Sequence, residues 1–413
     1  MSQPRPKVAL FAPHPLLTVT LEPEDSERQH IHFHAGGQGA WAARMVAQMG
    51  ATPVLCGFVG GESGELLRGL LARSIEPGDS GRSLYTAQCT ACHGDDGRGG
   101  AAREAGYPVA MPDLTDCGFA TPEADNDWLA TIHLGGNARG FDRRMPAFQE
   151  VLSDAQITSV VGYLRRFCTD ERWPRGDLNF PRPMLTEKAF PEDEIAITVS
   201  AARSNVTTQL QYERRFGSQY QLEVTAPVVY ASQDGGGWAG GVGDIAVSVK
   251  RVLGASLSSG TIAAAQIEVI APSGRTDRGL GNGTTMFEGA LELGQRLPAG
   301  GFLHAQAGVD VAYDRSHADE VFARAAIGDA LVPVRFGRMI APMLEVMAVR
   351  ELVAGAPTDL DLVPQVQVTL SARQHIRVAV GVQIPVTDRA TRETAVLGYL
   401  LWDWADGGLT VGW

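Results

Sequence analysis

The chain is 413 residues long, carries a formal net charge of −12 and contains five cysteines. That length suits two or three domains. The acidity excludes nucleic acid as a partner, because phosphates require a basic face, and no apolar run is long enough for a membrane helix.

In chain order, Val8-Ala9-Leu10-Phe11 reads as a buried strand and Leu17-Thr18-Val19-Thr20-Leu21 as a second extended stretch. Gly36-Gly37-Gln38-Gly39 opens a helix from Ala40 to Met49. A strand follows over Val54-Leu55-Cys56-Gly57-Phe58-Val59, then a helix from Glu65 to Ala72. Alternating strands and helices with glycine turns indicate a partial α/β segment over residues 1–78. This segment resembles the N-terminal part of the ribokinase-like sugar kinases, in particular the 1-phosphofructokinase branch. The matching residues are Leu17 to Leu21, Gly36 to Gly39, Ala43-Arg44 and Gly60-Gly61-Glu62-Ser63-Gly64. The family's lysine after the paired glycines is Gln38 here. Its C-terminal half, with the anion hole and catalytic aspartate, is not found. Gly241-Val242-Gly243-Asp244 has the right spacing, but Ile245 to Lys250 then alternates like a strand, so the motif reads as a turn. Kinase activity is therefore not expected. Residues 1–12 show no long apolar region with a small-residue cleavage site, so no signal peptide is visible.

Cys89-Thr90-Ala91-Cys92-His93 is a C-x-x-C-H motif, the pattern for covalent attachment of a c-type haem. Two thiols one helical turn apart can each bond a vinyl group of one porphyrin. The following histidine then offers an imidazole nitrogen to the iron. Leu84 and Tyr85 lie about one turn earlier, where they can pack on the haem edge. Gly94-Asp95-Asp96-Gly97-Arg98-Gly99-Gly100 has little side-chain bulk and suits a tight loop. Met145, in Met145-Pro146-Ala147-Phe148, is the favoured sixth ligand, with Met111 and His133 as rivals. Ser153-Asp154-Ala155-Gln156 has the form of a capping box, and Ile157, Val160, Val161 and Leu164 follow at helical spacing.

Residues 81–168 resemble a class I mono-haem cytochrome c domain. The likeness rests on Leu84-Tyr85, the motif with Gly94, Pro112-Asp113-Leu114, Met145 to Phe148 and the last helix to Phe167. It implies a small all-α fold, one covalent haem c, and one-electron transfer to a redox partner protein or a small donor or acceptor. Cys89 and Cys92 would anchor the haem, and His93 and Met145 would ligate iron. Cys117 and Cys168 either pair as a disulfide or stay as buried thiols. Haem attachment and disulfides belong outside the cytoplasm.

Phe180 to Glu194 is rich in proline and charge and reads as part of a linker, residues 171–193. Beyond it the period changes to two. Tyr220, Leu222 and Val224 alternate with Gln221, Glu223 and Thr225, and Ile376, Val378, Val380, Val382 and Ile384 extend the pattern over a longer run. Strands of this length with one sustained apolar face favour a transmembrane barrel over a soluble sandwich. Tyr399, Trp402, Trp404 and the terminal Leu409-Thr410-Val411-Gly412-Trp413 suit interfacial girdles. In pattern and terminal aromatic, residues 194–413 resemble outer-membrane transporter-like barrels, and about ten strands are expected. The scattered His304, His317 and His375 read as structural or exposed.

The expected chain is thus multidomain: a partial α/β segment (1–78), an all-α cytochrome c domain (79–170), a linker (171–193) and an all-β antiparallel barrel (194–413). Its expected place is the cell envelope, in contact with outer-membrane lipid and facing the periplasm. The expected role is electron transfer rather than turnover of a substrate. The alternatives are a transport or binding barrel with an accessory haem domain and, less favoured, a cytosolic sugar kinase-like protein in which the haem motif is incidental.

Overall fold

Small residues at three- and four-residue spacing decide the first helix. Ala40, Ala43 and Ala47 form its buried stripe. A computed structural model describes residues 7–11, 16–23, 29–56, 61–63, 66–67, 70, 81–100, 111–314, 317–371 and 374–404. The chain divides into two units, Met1–Thr115 with Trp128–Phe167, and Asp116–Asp127 with Cys168–Trp413. The first begins with β1 (Lys7–Phe11), β2 (Leu16–Pro23), β3 (Gln29–Gly36), the helix α1 (Gln38–Gln48) and β4 (Thr52–Cys56). Strands β1 and β4 pair in parallel, and β2 pairs with β3 in antiparallel register. The alternation of strand and helix is therefore present. Most of the helix expected over Glu65 to Ala72, and the chain end Leu409 to Trp413, lie outside the described residues.

Next come α2 (Gly81–Gln88), α3 (Thr90–His93), α4 (Cys117–Ala120), α5 (Asp125–Leu134) and α6 (Asp154–Leu164). Helix α6 starts as read from sequence. The Ser153 hydroxyl accepts from the Gln156 N–H, and the Gln156 side chain accepts from the Ser153 N–H at 2.9 Å. Its buried stripe is Ile157, Val160, Val161 and Leu164. Helix α2 lies against α6 with Leu84 and Tyr85 buried. The two helices approach so closely at Gly81 that any Cβ there would overlap the Ser159 carbonyl. In the second unit, Cys117 and Cys168 form a disulfide across 51 residues of chain.

The second unit is dominated by an antiparallel barrel. Its strands are β5 (Glu194–Ala201), β6 (Asn205–Phe216), β7 (Tyr220–Ser232), β8 (Trp238–Val242), β9 (Ile245–Ser256), β10 (Thr261–Ala271), β11 (Met286–Arg296), β12 (Gly301–Ala312), β13 (Glu320–Asp329), β14 (Ile340–Glu351), β15 (Asp359–Thr369), β16 (Ile376–Pro385) and β17 (Ala395–Asp403). Twelve of them close the ring, with β17 pairing back on β5. Strand β8 folds onto β7 beside the ring. The expectation of about ten strands is thus corrected to twelve. The strands hardest to see are β11 to β13, where Gly289, Ala290, Gly294, Ala305, Ala307, Gly308, Ala323, Ala325 and Ala326 blunt the alternation. Gly243-Asp244 is the expected turn. The Asp244 carboxylate accepts from the N–H groups of Gly274, at 2.8 Å, and Asn282, at 2.6 Å.

Alternation sorts the barrel's two faces. Leu210, Leu222, Val249, Ile267, Leu291 and Val380 point out, with Ile267 as much as 67% exposed. Glu194, Glu213, Lys250, His304, Glu345 and Gln367 point in and are buried. An apolar outer face around an interior that buries many charged side chains is the inverse of a soluble fold and matches strands facing lipid. Closure removes the sheet edges, so every strand backbone can pair inside the hydrocarbon. Among the described residues no helix is long and apolar enough to cross a membrane.

The stretch expected to be a linker is threaded through this interior. Leu178, Phe180, Ala189 and Phe190 pack on Val252, Ile262, Phe302 and Met343 of the wall. Met184 packs on a second patch with Val363, Leu397 and Leu401. Lumen side chains also hold the plug's backbone. The Glu345 carboxylate accepts from the N–H groups of Met184 (2.6 Å), Leu185 (3.2 Å) and Thr186 (2.9 Å), and from the Thr186 hydroxyl (2.7 Å). Tyr399 donates its hydroxyl to the Arg182 carbonyl at 2.9 Å, and Lys250 donates to that of Lys188 at 2.7 Å. Arg182 bridges Glu194 and Glu213, and Lys188 pairs with Glu192. Proline and charge look solvated in sequence; here they are buried because the barrel supplies the partners.

Candidate haem-attachment site

The C-x-x-C-H motif lies on one turn. Cys89 caps α3, its carbonyl accepting from the N–H groups of Cys92 at 3.1 Å and His93 at 2.9 Å. The helix stops at Gly94, whose φ of 75° disfavours any residue with a side chain. The chain then doubles back, and the Gly99 N–H donates to the His93 carbonyl at 2.8 Å. Gly99 also has positive φ, and a Cβ on it would overlap Met111. Tyr85 ties helix to loop. Its hydroxyl donates to the Gly94 carbonyl at 2.7 Å, while its ring lies 5.3 Å from Tyr163 and 5.4 Å from Phe167. Leu84 and Tyr85 thus brace the motif from one turn before it, against α6.

The chemistry of the motif is that of unused ligands. Cys89 and Cys92 are free of any disulfide. Burial, with Cys92 adding to it, pushes the Cys89 thiol up to about 12, and burial raises the Cys92 thiol as well. Burial lowers His93, which favours the neutral imidazole that binds metals. Its Nδ1 is buried without a hydrogen-bond partner. A thiol pair on one turn, an adjacent neutral imidazole and a side-chain-poor loop together fit a covalently held porphyrin.

Met145 sits on a loop pinned by two glycines. The Gly136 N–H donates to the Met145 carbonyl at 3.0 Å, and the Met145 N–H to that of Asp142 at 3.2 Å. A Cβ on Gly135 would come within 2.8 Å of the Ala147 nitrogen, so the close approach requires glycine. Met145 keeps partial exposure. The rival His133 is buried, with its Nε2 3.0 Å from the Asp154 carboxylate, so that nitrogen is already engaged. Met111 packs beside Gly99. In the barrel, the buried His304 has its Nε2 3.0 Å from the Pro181 carbonyl, the buried His375 pairs with Asp403, and His317 is exposed. The residues sequence reasoning missed are those of the plug. Phe180, Met184, Leu185 and Phe190 are an apolar signal within the prolines and charges that a solvated linker would not need.

Residues 76–164 match the family described as cytochrome C oxidase, cbb3-type, subunit III. No curated protein matches the chain. With these comparisons, the kinase-like reading of residues 1–78 gains no support. Among solved structures, the chain is similar to an outer membrane channel from Pseudomonas putida F1, at 13% identity and a TM-score of 0.39, over 55% of this chain and 100% of that one. It is similar to the KdgM porin at 10% identity and a TM-score of 0.36, over 51% and 99%. It is also similar to the β domain of the Bordetella autotransporter BrkA at 14% identity and a TM-score of 0.35, over 51% and 98%. The membrane assignment rests on the barrel's own closure and its apolar outer face. The chain thus joins a c-type cytochrome domain, at residues 76–164, to a twelve-stranded β-barrel of the outer-membrane type that places it in the cell envelope.

Proposed function

We propose that this protein is an electron-transfer cytochrome anchored in the outer membrane by its barrel, with its haem domain facing the periplasm. Cys89 and Cys92 would hold one haem c through thioether bonds, His93 would be its proximal ligand and Met145 its distal ligand. When bound, the haem supplies a one-electron couple at its iron, and a His/Met ligand pair raises the potential. The chain's own part is to fix that group. Tyr85 and Leu84 brace the motif turn, the Gly94 to Gly99 loop leaves room beside it, and burial keeps His93 neutral for ligation. The observation that carries the reading is the buried, unpartnered His93 Nδ1 next to two free cysteines.

A redox partner protein or a small donor or acceptor would complete the path. The filled lumen favours the anchor reading over an open channel. The polar lumen wall favours the second reading, a transport barrel with an accessory haem domain.

Expression in a host that attaches haem to c-type cytochromes tests the proposal. The native chain should carry one covalent haem by intact mass and titrate as a single reversible one-electron couple. Replacing both cysteines, Cys89→Ala with Cys92→Ala, should leave no covalent haem. Covalent haem in that double variant would refute the site, and a haem that does not titrate would refute electron transfer.

A further inference from the structure

Strand pairing sets a row of carboxylates that no short stretch of sequence displays. On β17 and β5, Asp403 stands opposite Glu194, Glu194 stands opposite Glu213 on β6, and Glu213 opposite Glu223 on β7. Glu223 faces Ser248 on β9, which faces Glu268 on β10. The row continues through Glu288, Asp310, Glu320 and Glu351 on β11 to β14. Each is the direct cross-strand neighbour of the one before, and nine of the ten positions are acidic.

Barrel strands tilt, so a row across them climbs the axis. The register shows the climb directly. Glu194 opens β5 and Asp403 closes β17 at one end of the barrel, while Glu320 opens β13 and Glu351 closes β14 at the other. Steps of about 4.8 Å at a tilt of about 40° raise the row by roughly 28 Å, close to the thickness of a hydrocarbon core.

Like charges directly opposite one another destabilise a sheet, so the row needs cations or shared protons to relieve it, and Asp310 and Glu288 share a hydrogen bond. At its lower end the chain provides the cations. Arg182 bridges Glu194 and Glu213, and Arg377 meets Asp403 at 2.9 Å. In the upper part, Glu268, Glu288, Asp310, Glu320 and Glu351 have no ion pair among the described residues. Arg324, the guanidinium on the same wall, donates to the Leu185 carbonyl at 3.2 Å and the Gln306 side chain at 3.3 Å, and attracts Glu268, Glu288 and Asp310 from beyond ion-pair distance. A second observation falls at the join. Ser248, 2% exposed, has a hydroxyl with no hydrogen-bond partner, set between Glu223 and Glu268. The Oε1 of Gln266, beside Glu268 on the same face, is also buried without a partner. Among the described residues no three acidic, histidine or cysteine groups close into a metal cage. The oxygens form a track.

We propose that this row is a path for small inorganic cations through the barrel lumen, interrupted where Arg182 of the plug occupies its lower end. The proposal does not depend on electron transfer by the haem domain. The test is the reversal potential of the full chain in planar bilayers under a KCl gradient. Current should favour K⁺ over Cl⁻ by at least about tenfold, as a carboxylate-lined lumen focuses counter-ions. The triple variant E268Q/E288Q/D310N should bring that ratio close to one. The neutral amides relieve repulsion and keep the side-chain shape, and the single variant E288Q carries the comparison if the triple does not assemble. If the native chain passes no current, the plug-loosening variant E345Q is recorded in its place. Anion preference, a ratio unmoved by these substitutions, or silence in both native chain and E345Q overturns the proposal.

Discussion

Glu345 is the side chain on which the plug's backbone hangs, so Glu345→Gln should free it. The carboxylate is fully buried and accepts from three successive backbone N–H groups, from the Thr186 hydroxyl and from the Gln365 amide. An amide of the same shape keeps one acceptor oxygen and turns the other into a donor facing donors. Bonds to a charged acceptor contribute about 1.5–3 kcal/mol each. The Thr186 hydroxyl can rotate to accept, so only the backbone bonds to one oxygen are lost outright. Opening of the plug should then become easier by about 2–4 kcal/mol, or roughly 30- to 1,000-fold in population. Hydrogen exchange reads that population at the amides of Met184, Leu185 and Thr186. Those amides should exchange faster by that factor, while peptides from the barrel strands remain unchanged. Unaltered exchange at Met184 to Thr186 would show that the apolar contacts of Phe180 and Phe190 hold the plug without Glu345. A uniform rise across the strands would show that Glu345 supports the barrel instead.

Gly81→Ala should destabilise the haem domain by about 1–3 kcal/mol, since the added methyl group overlaps the Ser159 carbonyl where α2 crosses α6. A thermal melt followed in the visible band of the haem would measure it, and an unchanged midpoint would mean the helices separate freely. Met145→Ala should keep the covalent haem but lose the sulfur-to-iron absorption at the red end of the spectrum and lower the potential. Survival of that band would transfer the ligand role to Met111.

What could be read from sequence was local. The motif, its glycine loop and the capping box at Ser153 are each set within a few residues, and each is found in place. Alternation over β7, β9 and β16 announced a barrel because large β-branched and aromatic side chains sat on one face only. Strands β11 to β13 were harder, because alanine and glycine suit either face and leave little period to count. The plug was hidden for a different reason. Arg182 and Thr186 look solvated until Gln367 and Glu345, respectively 185 and 159 residues away, are folded around them. The carboxylate row was also out of reach. Its members lie on different strands, and only register makes Glu268 a neighbour of Glu288.

The plug meets the lower end of the row through Arg182, and that meeting has a measurable consequence. Arg182 is the guanidinium that Glu194 and Glu213 share, and all three side chains are almost fully buried. Withdrawing it alone would leave two buried carboxylates without their shared cation, a loss of about 3–5 kcal/mol. A mobile cation arriving in its place would offset much of that. Arg182 and a lumen cation therefore compete for the same oxygens, and by linkage a cation bound between Glu194 and Glu213 must favour the open plug. Exchange at Met184 to Thr186 should accelerate as KCl replaces a bulky quaternary ammonium chloride at constant ionic strength. Holding ionic strength constant keeps general screening the same in both solutions. Equal exchange in the two salts would mean that Arg182 is displaced by screening alone, and that no cation takes its place between Glu194 and Glu213.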